Sequence, residues 1–212
     1  LILLGVELGD YVICSSFTFT ASANPILYQH ANPIFIDSEI ETWNMCPNYL
    51  EKAIQAGIEK GNKAKAIILP HIYGMPAKMR EIQDISKKYN IPLIEDAAES
   101  LGSCYFDKKL GTFGDFSICS FNGNKIITTS GGGALVSSDP HNIEKAKFLS
   151  TQARDNHIHY EHSHLGYNYR LSNVSAAIGL GQMEVLEDRI KRKRHIFNIY
   201  QSELSHLKQL SF

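Results

Sequence analysis

Ala66-Ile67-Ile68-Leu69, a helical pattern from Pro76 to Tyr89, and then Pro92-Leu93-Ile94 form the stretch on which the fold turns. Both apolar runs are short and carry no polar alternation, as strands buried on both faces require. Two such strands joined through a helix make a parallel pair with a right-handed crossover. Working outward, Tyr11-Ser15, Ile34-Ile36, Phe116-Ser120 and Ala134-Ser137 also read as strands, and Ala21-Gln29 and Pro47-Ala56 as helices. This alternation predicts an α/β fold, a mainly parallel sheet with helices on both faces.

The last third changes character. After the polar stretch Arg154 to His164, a helical pattern starts beside Ser172, a residue type suited to an N-cap, and runs towards Leu210. Gly179 and Gly181 interrupt it and allow either close helix packing or a break. With 43% hydrophobic residues, 20% charged and a net charge of −1, the composition is that of an ordinary soluble chain. Nucleic acid is not an expected partner, because the one basic cluster, Lys191-Arg192-Lys193-Arg194, lies in the helical pattern and reads as a solvated face. No membrane is expected either: no apolar run approaches the roughly 20 residues of a span, and Leu1-Ile2-Leu3-Leu4 lacks signal-peptide flanks. Cys14, Cys46, Cys104 and Cys119 show no CxxC spacing, which suits a reducing cytoplasm.

Two segments carry chemistry. Glu95-Asp96-Ala97-Ala98-Glu99 closes one apolar strand, and Ser120-Phe121-Asn122-Gly123-Asn124-Lys125 follows another about thirty residues later. In open parallel sheets ligands collect beyond the carboxyl ends of strands, so Asp96 and Lys125 belong on one rim. A lysine in a short Gly- and Asn-rich loop is suited to condense with an aldehyde, and a carboxylate facing a pyridine nitrogen keeps it protonated. Together they point to pyridoxal phosphate. Alone, Asp96 reads rather as a turn or N-cap residue before Ala97-Ala98, and Lys125 as an exposed loop lysine; their pairing reverses the preference. A nucleotide phosphate loop is excluded by order, since Lys125 precedes Gly131-Gly132-Gly133 and a strand follows.

With Gly9-Asp10-Tyr11-Val12-Ile13, Ser16 to Asn24, Asn32 to Asp37, His71-Ile72-Tyr73-Gly74 and Gly166 to Ser172, these segments make seven ordered matches across the chain. The sequence resembles the DegT/DnrJ-type nucleotide-sugar aminotransferases, most of all those acting on 4-keto sugars. The resemblance implies a fold-type-I architecture: a seven-stranded-type sheet in an α/β/α sandwich, incomplete at both ends here. Residues 1–185 would form part of the large cofactor-binding domain. Residues 186–212 would form a long helix leading into a small carboxyl-terminal domain, most of it beyond this stretch. Leu1 would lie inside the helix after the family's glycine-threonine phosphate turn.

The resemblance also implies roles. Lys125 would bind the cofactor covalently and shuttle a proton between the cofactor and the substrate carbon. Asp96 would hold the pyridinium, Phe19 would stack on the ring, and Ser120 would donate to the phosphate. Asn168 would reach the phosphate of the neighbouring subunit's cofactor in a homodimer with shared active sites. Glu99 stands where many relatives carry Gln or His near the phenolic oxygen, and a carboxylate there repels a phenolate unless protonated or turned away. Without the family, Phe19 also reads as core, Ser120 as a strand-end hydroxyl and Asn168 as a turn residue.

The reaction implied takes an amino group from L-glutamate and passes it to a nucleotide-linked keto sugar, expected to be a UDP-linked 4-keto-6-deoxy-N-acetylhexosamine used for cell-surface glycans. Related sugar dehydratases carry His in place of the lysine, so Lys125 argues against them. A non-catalytic paralogue that binds the cofactor is the other alternative. His157, His159, His162 and His164 fall within eight residues, but no zinc pattern supports them, so no metal is expected; contacts with substrate or partner are the preferred reading.

Overall fold

Successive strand residues point to opposite faces, and here they feed two separate cores. The computed structural model describes residues 1–212 and contains β1 (Tyr11–Ser15), β2 (Asn32–Ile36), β3 (Ala66–Pro70), β4 (Leu93–Asp96), β5 (Cys104–Tyr105), β6 (Lys108–Lys109), β7 (Phe116–Ser120) and β8 (Gly133–Val136). Six of them form one sheet in the order β2-β1-β3-β4-β7-β8. The first five run parallel, and β8 closes the edge antiparallel to β7. The sheet is mainly parallel and flanked by helices, as the sequence reading expects, with six strands in this chain. β5 and β6 pair as a small separate hairpin.

The helices are α1 (Thr20–Tyr28), α2 (Pro47–Glu59), α3 (Met79–Tyr89), α4 (Pro140–Ser150), α5 (Asn173–Glu184) and α6 (Leu186–Leu204). Ile13, Ile67, Leu69 and Leu93 enter one core with Leu50 and Ile54 of α2 and Met79 and Ile82 of α3. Their neighbours Val12, Cys14, Ile68 and Ile94 enter the other core with Phe116 and Ile26 of α1. α1, α2 and α3 sit where their buried residues meet one sheet face; in α3 that stripe is Met79, Ile82, Ile85 and Ser86.

Three boundaries differ from the sequence reading. α3 starts at Met79, not Pro76, and ends at Asn90 in the left-handed conformation that terminates helices. α4 was not anticipated, although Asp139 caps it by accepting the His141 N–H at 2.9 Å and Pro140 occupies its first turn. In the carboxyl-terminal helical stretch, Ser172 does cap α5, accepting the Ser175 N–H at 3.2 Å. The break falls at Val185 (φ −106°, ψ 8°), between α5 and α6, rather than at either glycine. Gly179 serves close packing instead: a Cβ there would lie 2.9 Å from Thr129 Cγ2. No helix is long and apolar enough to cross a membrane.

Candidate active site

β4 ends in two adjacent carboxylates that the pleat sends to opposite faces. Glu95, fully buried, turns towards the core shared with α3. Its Oε1 accepts the N–H groups of Phe113 and Gly114, the latter at 2.7 Å. Its Oε2 accepts the Gly111 N–H at 2.8 Å and lies 3.2 Å from His71 Nε2. His71 Nδ1 accepts the Ala77 N–H at 3.3 Å, which assigns the ring proton to Nε2 and makes His71 a donor to Glu95. Burial by itself raises the carboxyl's pKa, but His71 and the amides of Gly114, Gly111 and Phe113 outweigh it and hold Glu95 below the usual range.

Asp96 faces the other way, towards α1. Its Oδ2 accepts the Ser22 hydroxyl at 2.6 Å, and Ser22 Oγ lies 2.7 Å from Thr18 Oγ1. Its Oδ1 accepts the Ala98 N–H at 3.2 Å. The turn interaction readable in Asp-Ala-Ala is therefore present, using one oxygen, but no helix opens there. Asp96 borders an apolar cavity of about 660 Å³ lined also by Ile68, Ile94, Phe116 and Ile118. Burial, reinforced by the charge of Asp96, pushes the Cys14 thiol up to about 12.

Lys125 lies in the loop after β7, where its N–H donates to the Asn122 carbonyl at 3.1 Å. Its side chain is 15% exposed, and Nζ sits 3.6 Å from Glu99 Oε1. The second Glu99 oxygen accepts the Tyr73 N–H at 2.7 Å. Tyr73 has φ 53°, and beyond it Gly74 has φ 81° and comes so close to Glu99 that a Cβ would lie 2.8 Å from the Glu99 carbonyl oxygen. The His71-Ile72-Tyr73-Gly74 segment thus fixes the carboxylate of Glu99 towards Lys125. Lys125 and Glu99 share a cavity of about 600 Å³, distinct from the one Asp96 borders.

Phe19 stands at the start of α1 with its ring 73% exposed, which removes its reading as a core residue. Ser120 ends β7 opposite Gly133, and its Oγ accepts the Asn122 N–H at 3.4 Å. Asn168 pairs antiparallel with Thr151 and accepts from Gln152 Nε2 at 3.1 Å. It borders a third cleft, beside Gly131-Gly132-Gly133, so within one chain it does not join Lys125. Glu161 Oε2 lies 3.6 Å from His157 Nε2 and 3.2 Å from His159 Nε2, and the two rings stack at 5.8 Å. No group of three or more His, Cys, Asp or Glu side chains is placed to hold a metal ion.

The sequence reading left out Ser22, His71 and Glu95 as working residues. The only available signal was the doubled carboxylate at the end of β4, and which of the pair is buried is decided by tertiary packing. The side-chain types present fit pyridoxal phosphate chemically, with an anion for the pyridinium, an amine for the aldehyde, a strand-end hydroxyl for the phosphate and an exposed ring for stacking, although Asp96 and Lys125 border separate cavities within this chain.

Known proteins agree with this chemistry. The chain is 55% identical over 210 residues to the putative pyridoxal phosphate-dependent aminotransferase EpsN of Bacillus subtilis, covering 99% of the chain and 54% of that protein. It is 44% identical over 210 residues to the GDP-perosamine synthase of Escherichia coli O157:H7, covering 99% and 56%. The chain therefore spans about half the length of these curated relatives. A crystal structure of a DegT DnrJ EryC1 StrS aminotransferase from Brucella abortus superposes with a TM-score of 0.92 at 30% identity, over 97% of this chain and 56% of that one. The family's aminotransferases depend on pyridoxal phosphate. Its model matches residues 1–212 throughout, and the chain belongs to the DegT/DnrJ/EryC1/StrS aminotransferase family.

Proposed function

We propose that the full-length protein transfers an amino group from L-glutamate to a nucleotide-linked 4-keto-6-deoxy sugar, in the synthesis of cell-surface polysaccharide. The observation that carries this reading is the Lys125 side chain, 15% exposed in a cavity of about 600 Å³, with its Nζ 3.6 Å from Glu99. When bound, pyridoxal phosphate supplies an electron-withdrawing ring that stabilises negative charge on the substrate carbon. Lys125 would hold the cofactor through its aldehyde, and its Nζ would take and return the substrate proton. Glu99, tethered by the Tyr73 N–H, keeps that amine from swinging into solvent. Asp96, oriented by Ser22 and Ala98, would balance the charge on the ring nitrogen. Phe19 would cover the ring, and Ser120 would donate to the phosphate.

Asn168 completes the site from the neighbouring subunit of a homodimer. Its location in a cleft apart from Lys125 supports a role across an interface rather than within one chain. The reaction belongs in the cytoplasm, where the four free cysteines stay reduced. For the nucleotide, the sequence reading favours UDP-linked N-acetylhexosamine, whereas the 44% identical relative is a GDP-perosamine synthase and favours GDP.

The test uses the full-length protein with pyridoxal phosphate. Borohydride should fix the cofactor on Lys125, as read by peptide mass spectrometry, and Lys125→Ala should abolish capture. Glutamate alone should release 2-oxoglutarate stoichiometrically, and UDP- and GDP-linked 4-keto sugars then decide the acceptor. Cofactor fixed on a different lysine would overturn the site, and no 2-oxoglutarate would overturn the donor.

A further inference from the structure

The run Lys191-Arg192-Lys193-Arg194 reads in sequence as a solvated face, but the helix divides it. Lys191 lies 3.9 Å from Asp188, with both side chains largely exposed. Lys193 and Arg194 are exposed too, but they line the open cavity that contains Lys125 and Glu99. Ile190, Lys193, Arg194 and Phe197 follow the i, i+3, i+4, i+7 spacing of one helix stripe, and all four border that cavity. The stripe is held close at its start. Gly102, at φ 92°, comes so near α6 that a Cβ there would lie 2.4 Å from Ile190 Cδ1.

The charges in this cavity do not balance. Three cations, Lys125, Lys193 and Arg194, face one carboxylate, Glu99, and that carboxylate is paired with Lys125. Neither Lys193 nor Arg194 forms an ion pair with any side chain of the protein. Two adjacent unneutralised cations in a cavity of about 600 Å³ await an anion, and the volume is that of a site for a ligand of drug size or somewhat more.

We infer that Lys193 and Arg194 bind the diphosphate of the nucleotide-linked acceptor, an assignment that rests on the function proposed above. A diphosphate carries two linked anionic groups side by side, as the two cations are side by side on α6. The arginine fork takes one phosphate through two N–H donors, and the lysine meets the other as a point charge. Glutamate has its carboxylates at opposite ends of a flexible chain and makes a poorer match to neighbouring cations.

The experiment is calorimetric binding of UDP and of GDP to the full-length protein, comparing wild type, the double variant Lys193→Gln/Arg194→Gln, the charge-keeping double variant Lys193→Arg/Arg194→Lys, and Lys191→Gln as a surface control. The expected result is a loss of at least tenfold in affinity for the preferred nucleotide in the neutral double variant, with most of it restored when charge is kept. Lys191→Gln should bind as wild type. Rising salt should weaken wild-type binding steeply and the neutral variant's binding less. Wild-type affinity in the neutral variant, or no binding of either nucleotide by wild type, would overturn the assignment. So would a neutral variant that keeps nucleotide binding but no longer releases 2-oxoglutarate from glutamate, since the cations would then serve the donor. A wild-type protein that binds nucleotide through these residues but never reacts with glutamate would sink the aminotransferase reading and leave the diphosphate site standing.

Discussion

Replacing Glu95 with Gln keeps the shape of the side chain and removes only its charge and half its acceptors. All four of its hydrogen bonds are received from donors: the amides of Gly111, Phe113 and Gly114, and His71. With the amide oxygen at the Oε1 position, the Phe113 and Gly114 bonds survive, but the new NH2 faces the Gly111 N–H and the His71 ring. Flipping the amide only exchanges which pair is lost. Moving the His71 proton to Nδ1 relieves one clash and creates another with the Ala77 N–H. Two buried donors left facing donors, at about 1–3 kcal/mol each, give a loss near 4 kcal/mol. That is a large share of the ~5–15 kcal/mol by which domains are stable. Urea unfolding at neutral pH measures it. The pH dependence adds a second reading: the folded Glu95 carboxyl lies below its unfolded value of about 4.3. Its stabilisation is therefore complete above that pH and disappears as pH falls through the folded value. Wild type should lose stability on acidification more steeply than Glu95→Gln. A neutral-pH loss below about 1 kcal/mol, or parallel acid profiles, would refute the reasoning.

Ser22→Ala removes the hydroxyl that donates to Asp96 at 2.6 Å, and should cost about 1.5–3 kcal/mol in thermal or urea unfolding, with weaker capture of pyridoxal phosphate read by fluorescence. Gly114→Ala would put a Cβ 2.6 Å from the Leu93 carbonyl and 2.9 Å from the Phe116 carbonyl, forcing β4 and β7 apart. A loss of roughly 2 kcal/mol, the cost of overpacking, is expected in the same assay. Ser172→Ala deletes the cap of α5 and should cost about 1 kcal/mol, with Ser172→Asp restoring it. The buried Cys14 thiol, pushed up to about 12, should resist alkylation near neutral pH until the protein unfolds, as read by mass spectrometry.

All six strands of the main sheet were legible because each is a short run rich in apolar residues, although the edge strands β2 and β8 are mostly not buried. α4 was missed even though Asp139-Pro140 is a start signal, because Pro140–Ser150 follows β8 with little apolar periodicity to mark it. The paired dipeptides β5 and β6 are too short for any period to register. The break between α5 and α6 was sought at Gly179 and Gly181, the residues with the weakest helix propensity. It lies at Val185, where Leu186 becomes buried and packing overrides propensity. In the candidate site, the placement of Asp96 and Lys125 beyond the carboxyl ends of two neighbouring parallel strands was readable from the apolar runs that precede them. The engagement of Glu99 by Tyr73, and the split of the basic run between solvent and cavity, depend on segments far apart in sequence, and no local pattern encodes them.

The opposed carboxylates of β4 also act as a proofreading device for the sheet. Sliding this strand by one residue against its neighbours would exchange the two faces. Glu95 would leave four donors empty among apolar side chains, and Asp96, shorter by one methylene, would be offered a socket cut for its neighbour. A misthreaded sheet would thus be penalised at the very position where the site begins, so that chains able to hold β4 in place are also those that present Asp96 towards Ser22.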